Sequence, residues 1–496
     1  MDHYDLSKRG IFILKALAVV FTLFLVNIIV RSMMSLGWKL ILFLIALNFL
    51  VALFYGKKVI FLLLVELPIL SQIPRDAHNY SSSSVEIALF TVLLFFLVKF
   101  IFKKDIKIKK TRIDMPLLGL VFISALSLFL TTNSRMDLEL IGCLHILANF
   151  QNIFLVDQLH EIYPFRAFWT ILEGACFFFL CSNVYDKRFF EENNKLSISS
   201  LSIAVVVLFF FGIIQHVYTD SSVTYRGITR INSLLPDANT LGIWLISFIP
   251  LLFFLSVRNI GLWKKIALAG ATLALILLAS TVSRGAWLGF IVSTIFMTFL
   301  FNFDKFEKIN KKKNWIIFGV LLAAVIGLIL IFNYNSTFKS EIQENKYLNK
   351  VALPFDFNKT LQQRSTGRWY IWLAGMKAFT SNPIFGIGIG TFFKDMHNYY
   401  PSDIRPWGTY QDAHNYFFEI AAESGIFGLI SILWIFWALL FYGVKKYIKD
   451  KDHILLGCIG GVVAIFIHSL VDHHLLIPEI FAGFWFLASI IIVYDQ

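Results

Sequence analysis

The chain has 496 residues, 57% hydrophobic and only 15% charged, with 53 phenylalanines and a mean hydropathy of +0.71. A soluble protein of this size could not hide so much apolar surface, and the alternating pattern of a membrane β-barrel is absent, so the class is an all-α polytopic membrane protein. The net charge of +12 does not signal nucleic acid: Lys and Arg fall mainly in short gaps between apolar runs, where they orient spans, and no basic, aromatic-interleaved soluble segment exists.

Lys8 and Arg9 precede an apolar run from about Ile11 to Val30, which reads as a retained first span and not as a signal peptide, because it is long and lacks a small-residue cleavage site. A second run reaches about Phe54 and ends at Lys57-Lys58. Spans are expected near 59–73 and 85–102, around a polar loop from Arg75 to Ser84, and the strongest basic anchor follows at Lys103 to Lys110. A span from Met115 to Thr132 comes next. Residues 133–165 carry His145, Asn149, Gln151 and Asn152 within a short apolar piece, which is poor for a lipid-facing span and reads as interfacial or re-entrant.

Further spans are expected near 166–184, 197–218, 237–256, 264–281, 285–302 and 315–333, then near 424–444, 454–471 and 477–494. Basic gaps at Lys187-Arg188, Arg258 with Lys264-Lys265, Lys305 to Lys313 and Lys445 to Lys451 alternate as cytoplasmic loops. This gives about 12–14 spans, both termini in the cytoplasm and one large external loop containing short helices. The chain divides into N-terminal helices (1–200), central helices with arginine-bearing external segments (201–333), the large loop (334–424) and C-terminal helices (425–496). Cys143, Cys176, Cys181 and Cys458 lie in apolar surroundings without CxxC spacing, so neither a disulfide framework nor a thiolate metal site is expected.

The parity of the spans brings several polar segments to one face. Arg284 stands in Ser280-Thr281-Val282-Ser283-Arg284-Gly285, between two apolar runs separated by no more than a turn. Such a cation costs a few kcal/mol near hydrocarbon unless it is paired or faces water. It is either an interfacial arginine reaching headgroups or a cation set at membrane depth for a phosphate. In the loop, Arg364 and Arg368 flank Ser365-Thr366-Gly367, where Ser365 or Thr366 could cap a helix running through Trp372 toward Ser381. Arg368 then lies one turn before Trp372, and its guanidinium can grip two phosphate oxygens at once. Asn382-Pro383 stops that helix, and Gly386, Gly388 and Gly390 form a tight turn back toward the membrane; with no strand before it, this is weak evidence for a nucleotide site.

His-Asn-Tyr occurs at 78–80, 397–399 and 414–416, but only His414-Asn415-Tyr416 opens a helical pattern, with Glu419, Glu423, Gly425 and Gly428 behind it. A neutral imidazole there can take a proton from a hydroxyl near pH 7; a lone interfacial histidine is more often simply hydrogen-bonded, but the position between the glycine turn and Glu419/Glu423 narrows that difference. The outer segments show no Asp-x-Asp pair, only scattered Asp356, Asp395, Asp403 and Asp412, so no metal and no cofactor are expected.

Ser283-Arg284-Gly285, Arg368-xxx-Trp372, Asn382-Pro383 with Gly386-x-Gly388, and His414-Asn415 followed by Glu423-x-Gly425-xx-Gly428 resemble the signature of the O-antigen ligase/polymerase superfamily. Arg226, Arg230 and Pro236-Asp237-Ala238-Asn239-Thr240-Leu241-Gly242 are similar to that family's external motif ahead of a span, and His468-Ser469-Leu470-Val471-Asp472 with Pro478 to its closing helices. The resemblance covers roughly residues 200–490 and implies a GT-C-like helical fold. It also implies glycosyl transfer from an undecaprenyl-diphosphate-linked glycan to a lipid or glycan acceptor, at the outer face of the bacterial inner membrane. Carried over, Arg284 and Arg368 would hold the diphosphate and His414 would act on the acceptor hydroxyl. Arg226, Arg230, Asn239, Arg364 and Asn415 are the accompanying candidates for substrate binding. A ligase, a polymerase and a protein O-oligosaccharyltransferase all fit, with ligase slightly favoured by the large loop. A flippase for lipid-linked sugars fits less well, since ionisable residues within the spans are few.

Overall fold

The computed structural model describes residues 36–72, 88–89, 91–96, 109–132, 159–218, 224–225, 228–302, 333, 335–345, 348–349, 352–353, 356–365, 367–400 and 412–495. The expected first span (11–30), most of the spans near 85–102 and 315–333, the polar piece 133–158 and the candidate Arg226 lie outside these residues.

The described chain is built of helices apart from one two-residue hairpin pair, Thr224–Tyr225 with Ile228–Thr229. Seven of the described helices are long and apolar enough to cross a membrane, and two shorter apolar ones, Asp114–Phe129 and His453–Ser469, accompany them. In order these elements are α1 (Leu36–Tyr55), α2 (Val59–Ile69), α3 (Asp114–Thr132), α4 (Leu159–Val184), α5 (Lys187–Glu192), α6 (Asn194–Tyr218), α7 (Ala238–Arg258), α8 (Gly261–Thr281) and α9 (Arg284–Phe301). The large loop contributes α10 (Ser336–Glu344), α11 (Leu361–Arg364), α12 (Arg368–Ser381) and α13 (Phe392–Asp395), and α14 (Tyr416–Asp450), α15 (His453–Ser469) and α16 (Pro478–Asp495) close the chain. Most expected spans coincide with a helix to within a few residues. The span expected near 166–184 begins earlier, as α4 at Leu159, and carries Pro164 within it.

The centre of the bundle is α15 held between α7 and α9, and small residues make this possible. A Cβ on Gly461 would stand 2.3 Å from the Ser247 carbonyl oxygen, and one on Gly457 would stand 2.7 Å from the Leu251 Cα. The four-residue spacing of these glycines puts both on one face, so the two backbones approach as in other close-packed membrane helices. Ser293 Oγ donates to the Gly460 carbonyl at 2.6 Å from the other side. These contacts also fix direction. Ser247 with Gly461 and Leu251 with Gly457 make α15 antiparallel to α7, and Gly289 beside Ala464 with Ser293 on Gly460 makes it antiparallel to α9. The start of α7, the start of α9 and the end of α15 therefore meet at one end of the bundle.

The opposite end is pinned by charge. Arg258 at the end of α7 lies 2.7 Å from Asp452 and 3.9 Å from Glu191, and Lys187 lies 3.1 Å from Asp450. Asp452 also caps α15, accepting from the backbone N–H groups of Ile454 and Leu455.

The packing argument has a direct test. Gly461→Leu is expected to abolish a detergent-stable fold, because neither backbone can withdraw, whereas Gly375→Ala in α12, whose Cβ would meet nothing closer than 3.6 Å, should leave the melting temperature within a few degrees. Thermal unfolding followed by size-exclusion chromatography distinguishes the two.

Candidate functional site

The end of the bundle where α7, α9 and α15 meet collects Arg230, Asn239, Arg284, Arg368, His414 and Asn415 of the residues singled out in the sequence. Three corners build it. Between α8 and α9 the chain turns within two residues: Val282 takes a left-handed conformation (φ 49°), Ser283 is extended, and Arg284 is the first helical residue. Thr281 Oγ1 accepts from the Ser283 N–H, and Trp287 Nε1 donates across the corner to the Leu278 carbonyl. Gly285 abuts the α15 terminus so closely that a Cβ there would meet Val471 at 2.9 Å and His468 at 3.4 Å. Half-buried Arg284 is thereby set beside the segment that follows α15.

Arg230 braces the same corner. Its Nε donates to the Thr281 carbonyl at 2.9 Å and its Nη2 to Asn239 Oδ1 at 2.6 Å. Asn239 lies in the first turn of α7, which Asp237 caps by accepting from the N–H groups of Asn239 and Thr240 and from the Thr240 hydroxyl. The two sequence candidates Arg230 and Asn239 thus form one unit with the Arg284 corner.

In the large loop the residue that caps α12 is Gly367 (φ 97°), not Ser365 or Thr366 as the sequence suggested, because the turn needs a left-handed backbone there; Ser365 Oγ accepts from the Trp369 N–H from outside the cap position. Gln362 locks this turn by donating to the Gly367 carbonyl and accepting from the Tyr370 N–H. Arg368, at the start of α12, donates through Nη1 to the Val471 carbonyl, and its Nη2 stands 3.7 Å from Asp472 Oδ2. Arg364 ends the short α11, its Nε buried without a hydrogen-bond partner, and no described contact ties it to the cluster.

The third corner carries His414. Its φ of 48° is left-handed, uncommon for a residue with a side chain and a mark of a conformation held by its surroundings. What holds it is visible on the next two residues. Asn415 caps α14 through Oδ1 and donates through Nδ2 to the Leu470 carbonyl at 2.7 Å, while the Tyr416 N–H donates to the Asp472 carbonyl at 3.1 Å. His414 is thereby presented with Nδ1 3.3 Å from Asp472 Oδ1.

Asp472 is the hub. Its side chain is 3% exposed, and Arg368, His414, His473 and His474 all face it. From it a chain of alternating acids and imidazoles runs both ways. His473 Nδ1 is 3.4 Å from Asp472 and its Nε2 3.0 Å from Asp412, while His474 Nδ1 is 2.8 Å from Asp472 and its Nε2 3.0 Å from Asp237. Burial by itself would raise the Asp472 carboxyl, but His474, Arg368 and the hydrogen bonds from His414 and His473 outweigh it and hold the group well below the usual carboxylate range. Burial likewise works against charge on the two central imidazoles. The flanking carboxylates prevail, raising His474 to about 9 and His473 well above the ordinary imidazole value. Asp412 is lowered, its burial offset first by His473. Three carboxylates (Asp412, Asp472, Asp237) are then balanced by His473, His474 and Arg368.

His414 differs from its neighbours. Burial is the largest influence on it and lowers its pKa, the Asp472 hydrogen bond opposes this, and the charge of Arg368 lowers it further. The net result is a neutral imidazole at physiological pH. With Asp472 accepting from Nδ1–H, the lone pair resides on Nε2. A neutral, oriented imidazole beside the Arg368 guanidinium can remove a proton while that cation meets developing negative charge.

His414, Asp472 and His473 each also offer one ligand atom, all within 4.8 Å of one another, a donor set that a divalent ion could use. The same carboxylate is already flanked by Arg368 and His474, whose positive charges compete with a cation for it. Asp472, His473, His474, Asp237 and Asp412 were not singled out from the sequence as site residues. The signal was His468-Ser469-Leu470-Val471-Asp472-His473-His474, three histidines and an aspartate in seven residues between two apolar runs.

Residues 269–433 match the O-antigen ligase family, a stretch that holds the Arg284 corner, the large loop with Arg368, and His414, and that leaves Asp237 and residues 468–474 outside it. The match supports the O-antigen ligase superfamily, in agreement with the motifs read from the sequence. No curated protein matches the chain.

Proposed function

We propose that this chain of the O-antigen ligase superfamily transfers a glycan from undecaprenyl diphosphate to an acceptor hydroxyl at the outer face of the bacterial inner membrane, without a metal. The observation that supports it is the convergence of Arg368 and a neutral His414 on Asp472, with the turn that carries Arg284 packed through Gly285 against Val471 of the same segment. The acceptor hydroxyl gives its proton to His414 Nε2 as its oxygen bonds to the anomeric carbon. The bond from that carbon to the diphosphate oxygen breaks, and the electron pair leaves on undecaprenyl diphosphate. In-line attack inverts the anomeric carbon.

The leaving group is already good once its growing charge is met, and fixed guanidiniums in a partly dry site meet it without reorganisation. Arg284 enters from a helix start and Arg368 from the loop. A guanidinium offers five N–H donors, so Arg368 can hold Asp472 and a phosphate oxygen together. Arg230 and Asn239 keep the Arg284 corner in place, and Asn415 keeps His414 in its left-handed turn. On this reading the cluster lies outside, the Arg258–Asp452 end lies in the cytoplasm, and the polyprenyl tail stays in the outer leaflet. A lipid-core acceptor makes the enzyme a ligase; the growing glycan or a protein hydroxyl would make it a polymerase or a protein O-oligosaccharyltransferase.

The lowered pKa of His414 sets the pH behaviour. The active form is the deprotonated one, so activity rises with pH through the folded-state pKa, and the acidic limb of kcat/KM should lie below the ordinary imidazole value of 6.5. The assay uses purified protein, undecaprenyl-diphosphate glycan and candidate acceptors between pH 4.5 and 9. An acidic limb above 7 would remove His414 as the base. Activity lost in EDTA and restored by a divalent ion would turn His414, Asp472 and His473 into a metal site instead.

A further inference from the structure

We infer that His474 is a positioning residue for this transfer: wedged between Asp472 and Asp237, it holds the carboxylate that orients His414 in register with the corner braced by Arg230. The inference rests on the glycosyl-transfer reading above.

The geometry carries it. His474 follows α15 in a short 3-10 turn (His474–Leu476), with 6% of its side chain exposed, so it touches no substrate. Its two ring nitrogens meet two carboxylates from different parts of the chain: Nε2 is hydrogen-bonded to Asp237 Oδ2 at 3.0 Å, and Nδ1 makes a close charge contact with Asp472 Oδ1 at 2.8 Å, outside hydrogen-bond geometry. The ring is fixed by its neighbours, 4.5 Å from His473 and 6.3 Å from His468 between ring centroids. Asp237 is held by its capping bonds to Asn239 and Thr240, and Asn239 in turn receives Arg230, which grips the corner opening into Arg284. Asp472 receives His414. One imidazole therefore links the base side of the site to the Arg284 side.

Without a cation between them, Asp237 and Asp472 repel, and Asp472 loses its closest partner. It is then free to turn toward Arg368, which moves the acceptor of His414 Nδ1–H and spoils the line of attack. Misplacement of about 1 Å costs on the order of 100-fold in rate.

The test is a double-mutant cycle on the purified full-length protein. His474→Gln and Asp237→Asn are each assayed for kcat and for donor KM, beside the thermal midpoint. Asparagine caps a helix as well as aspartate does, so Asp237→Asn keeps α7 intact and stands alone should His474→Gln not fold. We expect each variant to lose roughly 10- to 100-fold in kcat with donor KM little changed, and the double variant to fall no further than the weaker single. A merely structural tie would lower the midpoint and leave kcat per folded molecule untouched; that result, or additive losses, overturns the inference. A wild-type protein that transfers nothing from the lipid diphosphate overturns the glycosyl-transfer reading and this one with it, whereas an active wild type with unimpaired variants overturns only the role of His474.

Discussion

His414→Asn should lower kcat for glycan transfer by on the order of 100- to 10,000-fold, the range of a positioned general base, while the protein remains folded. Asparagine is the informative replacement because of the backbone. Position 414 has φ 48°, a region that asparagine tolerates better than other residues with a side chain. The turn that leads into α14 is held by Asn415 on Leu470 and by the Tyr416 N–H on Asp472, neither of which involves the imidazole. The variant therefore separates chemistry from folding: an unchanged thermal midpoint with lost turnover assigns the loss to the base. Retained turnover would mean that another group takes the proton, with His473 the nearest alternative imidazole.

Gly425→Ala is expected to destabilise the protein by about 3 kcal/mol or more, and Gly386→Ala by a similar amount. Gly425 interrupts α14 at φ 65°, ψ −163°, a conformation essentially confined to glycine. The interruption is filled by the loop carrying Gly386. The Ile426 N–H donates to the Pro383 carbonyl at 2.8 Å, and the carbonyls of Ala422 and Glu423 accept from the N–H groups of Ile387 and Gly388. Glu423 Oε1 takes the Phe392 N–H at 3.0 Å, and Ser127 of α3 donates to the Glu423 carbonyl at 2.7 Å. A Cβ on Gly386 would stand 2.2 Å from the Glu423 carbonyl carbon, and one on Gly425 would stand 2.2 Å from the Ile384 carbonyl oxygen. Backbone meets backbone on both sides, so no side chain can yield. The measurement is thermal inactivation of the purified variants; midpoints within two degrees of wild type would show that the loop and helix can separate without loss.

That pairing also shows how far the sequence could be read. The expected span near 424 begins at the break, since the residues before Gly425 form the short helical lead that carries His414, and the helix continues to Asp450. Hydropathy and turn residues locate such boundaries because they are local properties. The glycine turn was legible as a turn, but nothing local says that its backbone would complete a broken helix some forty residues later.

The site divides in the same way. Arg284, Arg368 and His414 were legible because each is a charged or titratable residue at the start of an apolar helical pattern. The Asp412–His473–Asp472–His474–Asp237 chain was not, because it joins residues as far apart as 237 and 474 through tertiary contact alone. The sequence argument looked for carboxylates close together along the chain and found them scattered; folding gathers one of those, Asp412, with Asp472 and Asp237 around two imidazoles. Asn415 and Arg230, expected beside the substrate, are engaged with Leu470 and with Thr281 and Asn239. Those contacts give them a place in holding His414 and the Arg284 corner.

The most direct measurement of the central claim is release of undecaprenyl diphosphate from a glycan-loaded donor, followed alongside acceptor glycosylation, by purified wild-type, Arg284→Ala and His414→Asn proteins. The account predicts that wild type releases the lipid diphosphate in step with acceptor glycosylation and that both variants lose that turnover while still folding. Robust turnover by both variants would contradict it.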